Sequence, residues 1–280
     1  MTDTFVNKLA AAVELNNSLL CVGLDPDPSL MPLEDVFEFN RVIIDSTKGY
    51  VCAYKPNMAF YEALGFSGLQ ALEKTISYVH ENAAGVLVVG DGKRGDIKST
   101  NLRYARALFE VWDFDAATVN GYAGGEALEP FLDYGDKGVF VWCRSSNSGA
   151  REFQDLNVHL ESDTNRFYEM VAKRSLEWNS RGNVGLVVGA TYPEELHNVR
   201  ELCPEMPILI PGIGAQAGGL EQAVKYGVDS AGGNAMFTVS RSVIYASQDV
   251  NQFGEASRTE AESLRDRINS QLKIRIRSGD

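Results

Sequence analysis

The chain has 280 residues, 44% of them hydrophobic, and a formal net charge of −12. That length suits a single α/β barrel, which takes about 250 residues. The acidic balance opposes binding to nucleic acid or to an anionic membrane surface, and no apolar run approaches the roughly 18 residues a spanning helix requires.

The N-terminal stretch MTDTFVNKLAAAVELNN reads as an amphipathic helix carrying acidic residues. It lacks the basic start and long apolar centre of a secretory signal, which predicts a cytoplasmic protein. Short apolar runs then alternate with helical patterns, the signature of βα units around a parallel sheet. Strands are expected near Ser18–Leu24, Val51–Lys55, Val86–Asp91, Ala116–Val119, Gly138–Cys143, Val184–Val188, Ile208–Pro211 and Ser230–Gly232. Helical segments are expected at Gly68–Asn82, Lys98–Val111, Ala127–Tyr134, Thr164–Arg181, Glu194–Leu202 and Leu220–Tyr226. About eight strands and as many helices predict one (β/α)8 TIM barrel over residues 1–280, with an N-terminal helix and a charged helical tail after Asp249. A doubly wound open sheet is the structural alternative.

Cys21, Cys52, Cys143 and Cys203 lie in or beside apolar runs without CxxC spacing, so buried free thiols are expected rather than zinc ligands or disulfides. His80, His159 and His197 are scattered over polar positions and suggest no catalytic role.

In such barrels the reacting groups gather at the C-terminal strand ends. Here polar residues close five of the runs: Asp25, Lys55, Asp91 with Lys93, Asn120, and Ser145-Ser146-Asn147. The densest group is Asp91-Gly-Lys93-Arg-Gly-Asp96, after the apolar run Gly85–Gly90. Residues i and i+2 of a strand share a face, so Asp91 and Lys93 should enter one cavity, with Asp96 where the next helix begins. Burying such charges costs several kcal/mol each unless they are paired, so the series is either a structural ion pair or a catalytic device. Farther on, Pro211-Gly-Ile-Gly214-Ala-Gln216-Ala-Gly-Gly219 offers backbone amides to an anion. Gly232–Ser240 reads as a second such loop, and Arg241 follows it. Together they suggest a phosphate grip.

In this order, Val22-Gly-Leu-Asp25-Pro-Asp-Pro28, Lys55-Pro-Asn57, Asp91–Ile97 with Ser99-Thr100-Asn101, Pro211–Gln216 and Val239-Ser-Arg241-Ser resemble the orotidine 5′-monophosphate decarboxylases over nearly the whole chain. The insertion between the fifth and sixth expected strands resembles the longer bacterial branch. The resemblance implies metal-free, cofactor-free conversion of orotidine 5′-monophosphate to uridine 5′-monophosphate and carbon dioxide, the last step of pyrimidine nucleotide synthesis. It implies that Lys55, Asp91, Lys93 and Asp96 form an alternating charged tetrad, with Asp96 and Thr100 donated across a homodimer interface. Asp25 would bind ribose together with Lys55, Ser146 the pyrimidine, and Gln216 and Arg241 the phosphate. Ser145 competes with Ser146, because the loop around Arg144-Ser-Ser146 departs from the family pattern.

Two other readings stand beside this one. A sugar-phosphate decarboxylase of the same superfamily also carries DxKxxD but uses Mg²⁺, with a glutamate where this chain has Lys55. A silent nucleotide-binding barrel would keep the phosphate residues while losing tetrad charges, yet all four are present.

Overall fold

The computed structural model describes residues 4–160, 163–213 and 217–278. Eight parallel strands close into a barrel, beginning with β1 (Leu20–Leu24), β2 (Ala53–Pro56), β3 (Leu87–Arg94), β4 (Ala116–Val119) and β5 (Gly138–Arg144). An antiparallel hairpin, β6 (Asn157–Leu160) and β7 (Asp163–Arg166), stands apart from the barrel. The barrel resumes with β8 (Val184–Val188), β9 (Ile208–Pro211) and β10 (Ala235–Val239), which pairs with β1 and closes the ring. The barrel strands are buried on both faces over most of their length, which is why the runs are nearly continuous in Val, Ile, Leu and Ala rather than alternating.

Two expected boundaries need correction. The eighth strand is Ala235–Val239 and not Ser230–Gly232, so much of the expected second glycine-rich loop is strand. The Gly232-Gly233 turn draws attention away from a short run whose every residue is buried. The helix expected from Thr164 begins only at Phe167, because Thr164 to Arg166 pair with β6. Glu169 then accepts the Arg166 N–H at 2.7 Å and starts the helix, which runs to Trp178. A further helix, Val36–Thr47, lies between β1 and β2 and is capped by Asp35, whose carboxylate accepts the Glu38 N–H.

Helix Phe5–Asn16 seals the barrel floor. Phe5, Leu9 and Ala12 recur at helical spacing and are all buried. They pack with Cys21, Ala53, Leu87, Val89, Ala116, Phe140, Leu209 and Met236, the inward-facing residues of the strands. Phe5 meets Phe140 edge-on at 5.7 Å between centroids, and a side chain at Gly138 would collide with the Phe5 ring. The larger core lies between the barrel wall and the outer helices. All four cysteines are free and buried, and no helix among the described residues is long and apolar enough to cross a membrane. The tail forms one helix, Phe253–Ser278.

Candidate active site

Period-two alternation along the strands selects what enters the barrel mouth. Lys55 stands two residues beyond inward-facing Ala53, Asp91 two beyond Val89 and Thr118 two beyond Ala116. Their polar atoms meet. Lys55 Nζ donates to Asp91 Oδ2 at 2.7 Å, and Lys93 Nζ donates to Asp91 Oδ1 at 2.6 Å. The Thr118 hydroxyl donates to the same Oδ1 at 2.8 Å and accepts the Lys93 N–H at 3.0 Å.

Lys55 and Asp91 are almost wholly buried, whereas the Lys93 side chain is 32% exposed and lines the opening. Burial by itself would push the Asp91 carboxyl up, but the two ammonium groups outweigh it and hold the carboxyl well below the usual range. Burial likewise opposes the Lys55 ammonium, while Asp91 and Asp25 more than compensate and keep its pKa above the ordinary lysine value. Lys93 has φ 45°, a left-handed conformation that costs an L-residue roughly 1–2 kcal/mol. Its Nζ lies 5.8 Å from the centroid of the Trp142 ring, which is itself partly exposed on β5.

Asp25 follows β1 and is half-buried. Its Oδ2 accepts from the Ser240 hydroxyl at 2.7 Å, and its Oδ1 is buried with no hydrogen-bond partner among the described residues. A side chain at Gly23 would strike Ser240, so the glycine lets the ends of β1 and β10 approach closely.

The remaining expected site residues are placed as follows. Asp96 is exposed, and its carboxylate accepts only the Ile97 N–H among the described residues, so it does not reach Lys93 of its own chain. Buried Asn101 holds the Asp96 carbonyl and the Ala127 carbonyl, each at 2.7 Å, and so fixes the segment that carries Asp96. Thr100 is half-buried in the first turn of helix Lys98–Arg106. Ser146 lies against Gly189 and near Gly212, over the ends of β8 and β9, and its hydroxyl has no partner among the described residues. The Ser145 hydroxyl, by contrast, is engaged by Asn147 Oδ1 at 2.6 Å. Arg241 is exposed at the head of a short helix directly after Ser240. Gln216 lies outside the described residues.

Sequence reasoning missed Thr118, Trp142 and Arg144. Thr118 and Trp142 sit inside apolar strand runs and read as barrel filling. Arg144 is fully buried where β5 ends. It binds Glu195 through two donors, at 2.6 and 3.1 Å, and donates to Gln154 Oε1 at 3.0 Å, anchoring the segment that carries Ser146. Asn120, expected among the site's polar residues, instead shapes a turn by accepting the Tyr122 N–H.

Comparison with known proteins identifies the family. A sequence model of the Orotidine 5′-phosphate decarboxylase / HUMPS family matches residues 18–256. The orotidine 5′-phosphate decarboxylase of Thermomicrobium roseum is 48% identical over 272 residues, spanning 95% of both chains. That of Dehalococcoides mccartyi is 46% identical over 270 residues, or 96% of this chain and 98% of the relative. Among solved structures, Leishmania donovani OMP decarboxylase superposes with a TM-score of 0.83 at 37% identity, covering 96% of this chain and 98% of that one. The UMP synthase of the same organism gives 0.86 at 39% identity, with 97% of this chain matching 57% of the longer protein. A barrel whose mouth joins Lys55, Asp91 and Lys93, and whose sequence matches such an enzyme over 96% of its length, belongs to the orotidine 5′-phosphate decarboxylase family.

Proposed function

We propose that this chain, an orotidine 5′-phosphate decarboxylase by family, removes carbon dioxide directly from C6 of orotidine 5′-monophosphate, with Lys93 as the group that makes the step feasible. The C6–carboxylate bond breaks heterolytically and leaves its electron pair on C6, in an orbital the ring delocalises poorly. The uncatalysed reaction is among those for which enzymes supply roughly 20 kcal/mol or more. An ammonium already fixed at C6 stabilises that charge as it forms and then transfers a proton to it, combining preorganised electrostatics with general acid catalysis. The observation that carries this reading is the placement of Lys93, held through both its side chain and its backbone yet partly open to the mouth.

Asp91 keeps the Lys93 ammonium oriented, and it crowds the substrate carboxylate until carbon dioxide leaves. Lys55 neutralises Asp91 from the other side. The vacant, buried acceptor on Asp25 suits a ribose hydroxyl, which has a proton to give. Ser146 is the better candidate for the pyrimidine, since the Ser145 hydroxyl is already engaged. Arg241 and Gln216 hold the phosphate, whose remote binding energy positions the ring.

The tetrad is completed in a homodimer. Asp96 is exposed, the neighbouring Ile97 is 64% exposed and Leu102, on the following helix, 52% exposed. A second copy covering this surface would bury those apolar groups and bring its Asp96 and Thr100 to Lys93. The enzyme acts in the cytoplasm, in the final step of uridine monophosphate synthesis. The Mg²⁺-dependent sugar-phosphate reading is disfavoured, because the buried ammonium of Lys55 would stand beside the metal.

The test is the loss of orotidine monophosphate absorbance with chelator present. Turnover by the wild type, absent in Lys93→Ala, is expected. No turnover by the wild type would overturn the reading.

A further inference from the structure

We propose that Thr118 is a positioning residue for the decarboxylation, orienting the Asp91 carboxylate and the Lys93 ammonium through one hydroxyl. The inference rests on the roles proposed above for Asp91 and Lys93.

Gly90 pairs with Ala117 and Arg94 with Val119, so Asp91, Gly92 and Lys93 on β3 face Thr118 alone on β4. Such a bulge breaks the regular backbone ladder and re-aims the side chains it carries. Lys93 takes its positive φ within this segment, and its N–H is satisfied by the Thr118 side chain at 3.0 Å. The hydroxyl thereby replaces a missing ladder bond.

Donor chemistry then fixes the hydroxyl's direction. An amide N–H can only donate, so it occupies a lone pair of Oγ1. An ionised carboxylate can only accept, so the hydroxyl proton points to Asp91 Oδ1 at 2.8 Å. Thr118 is fully buried, and a β-branched side chain has few rotamers, so neither partner can pull the hydroxyl elsewhere. Oδ1 is the same oxygen that receives the Lys93 ammonium at 2.6 Å. One small group thus connects the backbone and the ammonium of Lys93 through Asp91. Removing it orphans a backbone N–H and frees the carboxylate to rotate, and a shift of about 1 Å at a reacting group can cost on the order of 100-fold in rate.

Thr118→Val keeps the shape without the hydroxyl, and Thr118→Ser keeps the hydroxyl without the methyl. For both, and for Lys93→Ala, kcat and KM for orotidine monophosphate would be measured with the Kd for uridine monophosphate and the thermal midpoint. The expected result for Thr118→Val is a kcat roughly 10- to 100-fold lower with product affinity within about threefold of wild type, and recovery in Thr118→Ser. A kcat within about twofold of wild type, or kcat and product affinity falling in equal proportion, would overturn the proposal. If Thr118→Val does not fold, Thr118→Ala is read for the same split. An inactive wild type or a fully active Lys93→Ala would instead overturn the functional reading beneath it, so the two failures are distinguishable.

Discussion

At the floor of the barrel Arg200 is 6% exposed, and its guanidinium donates to the carbonyls of Cys203, Pro204, Met206, Gly227 and Asn234. At the mouth, Lys55, Asp91 and Lys93 face one another as full charges, and the partly exposed Lys93 side chain has one ammonium donor engaged among the described residues. Both clusters hold buried charge, yet they dispose of it differently. Arg200 is saturated by neutral backbone dipoles, and burial lowers its pKa to about 10. It stitches the starts of β9 and β10 to the helix ends beside them. At the mouth, the Asp25 Oδ1 acceptor and donors on Lys93 are left open. A charge whose bonding capacity is filled stabilises a fold, whereas one whose capacity is left partly open is available to a ligand.

The strongest test of this contrast is at Lys93. Lys93→Ala should lower kcat by about 10⁴-fold or more while leaving the thermal midpoint near wild type. On the proposed homodimer with shared sites, mixing Lys93→Ala chains with Asp96→Ala chains should restore roughly a quarter of wild-type turnover, because half the dimers would then carry one intact site. Activity that stays absent on mixing would separate Asp96 from the partner's Lys93.

Arg200→Leu should do the reverse. The substitution strips the Arg200 donors from five carbonyls, of which Cys203 and Asn234 keep the N–H groups of Met206 and Ile208, and should cost about 3–5 kcal/mol and lower the melting temperature by roughly 10 °C, with kcat/KM of the folded protein unchanged. A comparable loss of kcat/KM would dissolve the distinction between floor and mouth.

Asp91→Asn tests the mouth as a structural element as well. It leaves Lys55 buried without its closest counter-charge and should cost about 3 kcal/mol in urea unfolding at pH 7. The sign of its pH dependence follows from the depressed Asp91 pKa. The wild-type advantage is full above the ordinary carboxylate value of 3.8 and drains as the pH falls below it. An advantage that grew on acidification would contradict this assignment. The smallest effect is expected at exposed Arg241, where substitution by alanine should reduce kcat/KM about 30-fold, chiefly through KM, in steady-state assays.

Much of the barrel is legible in the sequence because strands buried on both faces must be apolar throughout, and seven of the expected strands overlap observed ones. The eighth lies beyond its expected position because glycines mark turns strongly and a five-residue strand beside them marks itself weakly. The charged part of the mouth is legible for a different reason: Lys55, Asp91 and Lys93 interrupt apolar runs, and charge in such a place demands an explanation. Thr118 raises no such alarm, since a threonine among Ala116, Ala117 and Val119 is ordinary strand composition. Its contacts depend on a three-residue bulge in the neighbouring strand, a matter of register that one chain's pattern does not encode. Arg200 gives no signal for a related reason, because its partners are backbone carbonyls and leave no trace in residue type.

The left-handed backbone at Lys93 sets stability against catalysis at a single codon. Glycine or asparagine would occupy that conformation more comfortably than lysine and would remove an ammonium from the crowded mouth. Selection for heat tolerance alone therefore pushes position 93 toward residues that cannot donate a proton. On the role proposed for Lys93, demand for turnover is what keeps a lysine there, and engineering of this scaffold for robustness has to hold that position fixed.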